Sequence, residues 1–474
     1  VSKMDQNNDG FMDNPLAKQI NVMNRYQYYD AEKGLVSFIN FRYMNDKKQS
    51  GEVDFDPDRD RGATNRWGSE INTQRLDLAT KVGYVFKDMP FQSIGFQNAF
   101  TLHNQNSYYG LNVYDIKQNS FYSNLIFNSI INNTKHKFAT GINFAYDNYN
   151  EFVGLTDYGR VDNSVGAFFE YTYDNDDNFS LVLGGRVDNH NRLGTFVTPR
   201  LHLRYNPWEK SVLRFSAGRG KRAANIFAEN QSLFASSRTF SILDTDGKIY
   251  GLNPEIAWNY GLSFNQKFQL FGRNGDAGFD LYRTDFQNQA VVDVMQSPQQ
   301  VLFYNLKGKS YATSLQIEFN YELANRFSLR SAYKYYDIQT QYLSGVYQRP
   351  LQAKHRFFGN LEYETGRSES GSQWRFDATY NWLGKQQLPV TASNPAQDRL
   401  PEFSPSYNLI NAQVTHVFSS NFEIYVGGEN IGNYKQSKAI LGAETPFGPT
   451  FDASIVYAPI FGQMYYAGLR FKIK

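Results

Sequence analysis

The sequence predicts an all-β protein: a transmembrane antiparallel barrel to which this chain contributes about 19 strands of about 22. Three observations carry that expectation. Apolar and polar side chains alternate every second residue along nearly the whole chain, with no convincing helical period. Short polar turns alternate without a break with usually longer connections. The composition is polar on average, with a mean hydropathy of −0.56, yet 16% of the 474 residues are Phe, Tyr or Trp.

The elements follow in chain order. Leu76, Leu78, Thr80, Val82, Tyr84 and Phe86 form one face of a strand whose other face is Asp77, Ala79, Lys81, Gly83, Val85 and Lys87. Tyr311, Thr313, Leu315, Ile317, Phe319 and Tyr321 alternate with Ser314, Gln316, Glu318 and Asn320. Trp374, Phe376, Ala378, Tyr380 and Trp382 alternate with Arg375, Asp377, Thr379 and Asn381, and a last strand covers Tyr465–Ile473. Successive strand side chains point to opposite faces, so each has one apolar and one wet side. Strand lengths of about 10–14 residues exceed the ~5–6 of soluble sheets and meet the ~9–11 of a tilted membrane strand.

Short turns fall at Asp30–Gly34, Lys87–Gln92, Asn132–Lys135, Asp174–Asn178, Asn206–Lys210, Phe271–Asp276, Glu322–Arg326, Gly366–Ser372 and Ser419–Asn421. Long connections are expected at Asp46–Asn72, Gly220–Pro254, Val291–Gly308, Lys385–Ser406 and Asn433–Ile460. A barrel places the short turns at one rim and the long loops at the other. Ring pairs Tyr108/Tyr109, Tyr335/Tyr336 and Tyr465/Tyr466 are expected near strand ends, where amphipathic rings favour the headgroup level.

Composition removes several classes. With no cysteine there is no disulfide framework, thiolate nucleophile or Cys-ligated metal. A formal net charge of +2, without a basic block, gives no case for nucleic acid as partner. No linker-like tract divides the chain, so residues 1–474 are expected to form one barrel domain. Val1 is not an initiator, no signal segment follows it, and an odd strand count implies missing strands at the front. The expectation is a mature product or fragment whose residues 1–15 form an outer loop.

Asp5-Gln6-Asn7-Asn8-Asp9-Gly10-Phe11-Met12-Asp13 spaces oxygen ligands at alternate positions, with Gly at the sixth. That pattern suits Ca²⁺, with Asp5, Asn7, Asp9, the Phe11 carbonyl and Asp13 as ligands. Leu16 replaces the bidentate Glu of a full EF-hand, and the alternative is an acidic surface turn. Lumen-facing Lys81, Arg186, Arg204, Arg214, Arg330, Lys334, Arg356 and Arg375 mix with Asp77, Asp188, Glu318 and Asp377. They could guide anionic cargo, or supply ordinary lumen polarity and pair with a plug. In the long segment Gly220–Pro254, Arg222, Asn225, Arg238 and Tyr250 are candidate ligand contacts, with loop packing as the alternative. The histidines show no metal-binding spacing, and His136 and His416 are expected on exposed surface. No nucleophile elbow supports catalysis.

Several segments resemble TonB-dependent outer-membrane receptors of the siderophore, haem and cobalamin branch. They are Gly185-Arg186-Val187-Asp188, Phe196-Val197-Thr198-Pro199-Arg200-Leu201, and Gly218-Arg219-Gly220-Lys221-Arg222-Ala223-Ala224. Leu252-Asn253-Pro254-Glu255 with Trp258-Asn259-Tyr260-Gly261, Asn408–Asn411 with Gly428–Asn433, and the closing Gly468–Ile473 continue the series in order. Lys221 and Ala224 depart from the family's aromatic residue and Pro, and Lys474 from its terminal aromatic residue. The resemblance implies a Gram-negative outer-membrane receptor, surrounded by lipid, that imports a scarce extracellular ligand. A ferric siderophore is first among candidate cargoes, ahead of haem, cobalamin or another metal chelate. It also implies an N-terminal plug and a TonB-contacting segment, neither of which this sequence contains, and a monomer with a surface lipoprotein as a further candidate partner. The rival expectations are a barrel protease or lipase and a passive channel.

Overall fold

The computed structural model describes residues 3–473, so Val1, Ser2 and Lys474 lie outside it. Its main sheet has 21 strands. Two are short extensions, Thr156–Asp157 and Gly345–Gln348, and the remaining 19 run up and down in chain order, each antiparallel to the next. Their number matches the expectation, but their length does not. They span from 8 residues, as in Phe422–Glu429, to 21 in Asn133–Val153. The longest strands continue past their apolar rows into polar residues, where backbone pairing needs no lipid.

Cross-strand register shows why the alternation matters. Phe96, Leu125, Ile142, Ala167, Val187 and Val197 sit side by side across six strands. Ile142 keeps 59% of its surface exposed on this face. A continuous apolar row of this kind is at home against hydrocarbon rather than water. The opposite face carries the polar series, including Asp77, Arg186 and Glu318.

The turns at one rim are tight. Asn132 links two strands at φ +62°, a conformation Asn tolerates better than most residues. Gly34 sits at φ +68° with Val85 so close that an added Cβ would lie 2.2 Å from its carbonyl oxygen. Among the described residues, Leu16–Asp30 pairs only with Leu35–Gly51, and Met464–Phe471 only with Phe422–Glu429. These are the two sheet edges.

The opposite rim departs from the expected long loops in a specific way. Strands run to Gly51 and resume at Gly68, so the connection expected at Asp46–Asn72 is present but shortened to Glu52–Trp67. Val291–Gly308 contains strand Gln300–Asn305 and most of Ala290–Asp293, and Gly220–Pro254 contains Thr239–Ile242. The three form a separate sheet, with Thr239–Ile242 parallel to Gln300–Asn305. Phe227, Phe234, Phe303 and Tyr304 are buried beside it in the largest apolar cluster of the described residues. Tyr109 joins that cluster, stacking on Phe234 at 5.9 Å, instead of reaching the headgroup level. Its ring has a closer apolar partner within the chain than the membrane offers.

Candidate ligand and cation sites at the long-loop rim

Strand Ser211–Arg222 ends by delivering Arg222 to this rim. Its guanidinium meets Glu229 at two points, 2.7 and 2.9 Å, and Glu255 at 2.7 Å. The head remains more than half exposed. The Asn225 backbone N–H also donates to Glu229 at 3.1 Å. Burial pushes the Glu229 carboxyl up, but Arg222 and that N–H outweigh it and hold it below its ordinary value.

Asn225 and Tyr250 converge on a residue the sequence did not single out. Arg160 donates to the Asn225 side-chain oxygen, to Tyr250 Oη at 2.7 Å and to Glu151 at 3.0 Å. Its Nε reaches Asp162 at 3.1 Å, and its plane covers the Tyr149 ring at 4.0 Å. Fully buried Glu151 accepts from Tyr114 Oη at 2.9 Å and from Tyr250 Oη. Burial, reinforced by the Glu151 charge, pushes the Tyr250 phenol up, so it remains a donor. A signal was present: Arg-x-Asp recurs at Arg75/Asp77, Arg160/Asp162, Arg186/Asp188, Arg283/Asp285 and Arg375/Asp377. Residues two apart share a strand face, and the first four pairs form ion pairs, whereas Arg375 pairs with Glu364.

Arg238 lies apart from these three. Its Nε donates to Asp452 at 2.9 Å and its Nη1 to the carbonyls of Ser297 and Gln300. Its side chain is 1% exposed, so it fastens three loops together and presents no free head to a cargo. The structure therefore groups Arg222, Asn225 and Tyr250 and separates Arg238 from them.

Residues 5–13 fold into a tight loop at the same rim. Asp5 accepts from the backbone N–H groups of Asp9 and Gly10, Asp9 accepts from that of Phe11, and Asp13 accepts from that of Gln6. Gly10 takes φ +84°, as the sharp turn requires. Burial raises the Asp13 carboxyl; the Gln6 N–H opposes this, and the charges of Asp5 and Asp9 raise it further. Three carboxylates that feel one another, with only oxygen donors, fit a hard cation in chemistry. Phe11 fastens the loop by stacking on Phe451 at 5.9 Å, beside Trp67. Among the described residues, no group of three or more His, Asp or Glu side chains is gathered tightly enough to hold a metal by itself.

The histidines expected on exposed surface are packed in aromatic rows. His136 contacts Tyr171 Oη at 2.5 Å, and His416 lies 4.3 Å from the Trp374 ring and 4.2 Å from Phe418. On the lumen-facing side, Arg186 pairs with Asp188, Arg330 with Glu362 and Arg375 with Glu364. Arg204 instead sits opposite Arg214, and Lys334 opposite Arg356, in cross-strand register. The Arg356 Nε is buried without a partner.

The family model for the β-barrel of TonB-dependent receptor-like proteins matches residues 6–431. The chain belongs to this family. No curated protein matches the chain significantly. The ferripyoverdine receptor of the outer membrane of Pseudomonas aeruginosa is similar in structure, at 12% identity and TM-score 0.65 over 96% of this chain and 65% of that one. The alcaligin outer-membrane receptor FauA of Bordetella pertussis is similar at 13% identity and TM-score 0.57, over 87% and 66%. The copper transporter OprC is similar at 13% identity and TM-score 0.68, over 96% and 72%. This TonB-dependent receptor chain thus spans about two-thirds of the first two. The matched family is one of receptors, not of enzymes.

Proposed function

We propose that this TonB-dependent receptor barrel is the wall of an outer-membrane importer whose cargo is a ferric siderophore or related metal chelate. Energy would come through TonB, and the long-loop rim would face the outside. The single observation that carries the cargo class is the lumen-facing pairing of Arg204 with Arg214 and Lys334 with Arg356. Like charges opposite each other on a sheet are unfavourable unless an anion lies between them. At the rim, Arg222, more than half exposed although paired with Glu229 and Glu255, is a further candidate contact. The similar solved proteins include receptors for ferripyoverdine and alcaligin and a copper transporter, which fits a metal-bearing anion.

Uptake of radiolabelled ferric chelates by cells with and without the intact gene, under iron limitation, tests the reading. Loss of uptake of one chelate on deletion is expected. Unchanged uptake and growth, together with large steady conductance of the full-length protein in liposomes, would replace the receptor with a passive channel. Residues 5–13 are proposed to bind Ca²⁺ through Asp5, Asn7, Asp9, the Phe11 carbonyl and Asp13. Calcium titration by calorimetry, repeated after Asp5→Asn, should show binding that the variant loses.

A further inference from the structure

At the long-loop rim, Arg222 ends strand Ser211–Arg222 directly opposite Glu255, the first residue of strand Glu255–Leu270. The connection between them carries Glu229 back to the same guanidinium on the short helical segment Ala228–Phe234. Two strands and one loop segment therefore share one charged site. Its net charge is −1, from two carboxylates against one guanidinium.

The way the guanidinium is occupied decides what else it can hold. An arginine recognises a planar oxyanion through two parallel N–H groups on one edge, either Nη1 with Nη2 or Nε with Nη2. Glu229 takes the first edge, from Nη1 at 2.7 Å and Nη2 at 2.9 Å. Glu255 takes the other N–H of Nη2 at 2.7 Å. Three of the five N–H donors are then used, and the remaining two, on Nη1 and Nε, point to opposite sides of the group. No edge is left for a second forked contact. The Arg-x-Asp arginines of the wall are held differently. Arg75 and Arg186 each grip their aspartate through Nε and Nη2, which leaves the Nη1–Nη2 edge open to the lumen side.

The two carboxylates on Arg222 differ in how firmly they are placed. Glu255 keeps 11% of its side chain exposed and is fixed by strand pairing, whereas Glu229 keeps 38% and sits on a loop segment. Glu229 also accepts the Asn225 N–H at 3.1 Å, and its own N–H donates to the Asn225 carbonyl at 2.9 Å. A tethered carboxylate acts at high effective concentration, so a free group of equal charge gains nothing by replacing it. An oxyanion carrying more charge is attracted more strongly by the same guanidinium.

We infer that Glu229 is a specificity-determining residue: it holds the forked edge of Arg222 until an oxyanion of higher charge displaces it, so neutral and singly charged cargo is refused there. Its departure unfastens the Asn225 N–H and loosens the start of segment Ala228–Phe234, while Phe227 and Phe234, each 1% exposed, stay anchored. The inference rests on the anionic-cargo reading above and adds the residue that sets the charge threshold.

Isothermal titration of the intact protein in detergent and calcium-free buffer tests it, with pyrophosphate as the probe and acetate as the singly charged control. Pyrophosphate is expected to bind, and acetate at least tenfold more weakly. Glu229→Gln should bind pyrophosphate at least threefold more tightly than the unaltered protein, and Arg222→Gln at least tenfold more weakly. Adding Glu229→Gln to Arg222→Gln should restore nothing; a gain there would come from removal of a charge alone and would overturn the inference. Hydrogen exchange gives a second readout. Saturating pyrophosphate should speed exchange at Asn225 at least threefold in the unaltered protein and leave it unchanged in Glu229→Gln. Slowed or unchanged exchange in the unaltered protein overturns the inference, as does equal pyrophosphate binding by Glu229→Gln. Heat-modifiable gel mobility reports whether each variant is folded; where Glu229→Gln is not, Glu229→Asp, whose shorter side chain falls short of the fork, carries the same expectations. Failure of these arms with chelate uptake intact removes this inference alone, whereas uptake unaffected by gene deletion removes the cargo reading and this inference with it.

Discussion

The strand wall and the loop cap use the same aromatic and aliphatic residues in opposite ways. In the wall, Ile142 and its neighbours across six strands turn outward and remain exposed by the chain itself. In the cap, Phe227, Phe234 and Phe303 are each at most 1% exposed and pack on one another. The wall has no apolar interior, because its inner face is polar; lipid serves as its other half. The cap rises beyond the lipid and must build a water-excluding core of its own. Stability of the two regions should therefore answer to different solvents, and the difference can be probed from each side.

The largest effects belong to the cap. Phe303→Ala should destabilise it by about 3–5 kcal/mol through lost contacts and a cavity, read as faster proteolysis within residues 223–254 while the wall resists. Removing one partner of a buried ion pair costs a similar ~3–5 kcal/mol, so Asp452→Asn should loosen the same loops by stranding Arg238. An intermediate effect tests the wall. Ile142→Arg should cost about 2–4 kcal/mol in bilayer refolding titrations, if it lies near the midplane, whereas Asn124→Arg, on the lumen-facing side opposite Gln97 and Asn143, should be nearly neutral. If both arginines cost the same, the assignment of faces is wrong.

Acid should loosen the cap at Asp398. Burial raises the Asp398 carboxyl, but Thr450, Lys438 and the Gly442 N–H outweigh it and hold it below its ordinary value of 3.8. A lowered folded value contributes stability that is present above 3.8 and lost as the pH falls through the lower folded value. Loop protection in hydrogen exchange should drop across that interval, and Asp398→Asn should flatten the dependence. The smallest expected change is Arg222→Gln. Its exposed pairs contribute at most about 1 kcal/mol to stability, so the fold should persist while uptake of the anionic cargo weakens.

Much of the wall was legible in the sequence. A two-residue period is a local property, so Leu76 to Tyr84 and Leu315 to Tyr321 declare their faces without reference to any neighbour. Tight turns are equally local, as Asn132 and Gly34 show. Strand number and chain-order pairing followed from these two signals. The site was less legible. Arg222, Asn225 and Tyr250 were candidates on residue type and loop position, but Arg160 and Glu151, which tie two of them together, were not.

What the sequence by itself determined is the wall: antiparallel strands in chain order, one apolar face, one polar face, and long connections gathered at one rim. Only the tertiary structure decided the cap. It pairs Thr239–Ile242 with Gln300–Asn305 from another loop and joins Arg238 to Asp452, 214 residues away. It also turns Tyr109 inward and links Arg283, Asp285, Tyr311 and Asp337 across three strands. The physical reason is that periodicity records which side of a strand meets which solvent, whereas these contacts join segments remote in sequence. Their partners are chosen by proximity after the sheet has formed, and no local pattern encodes that choice.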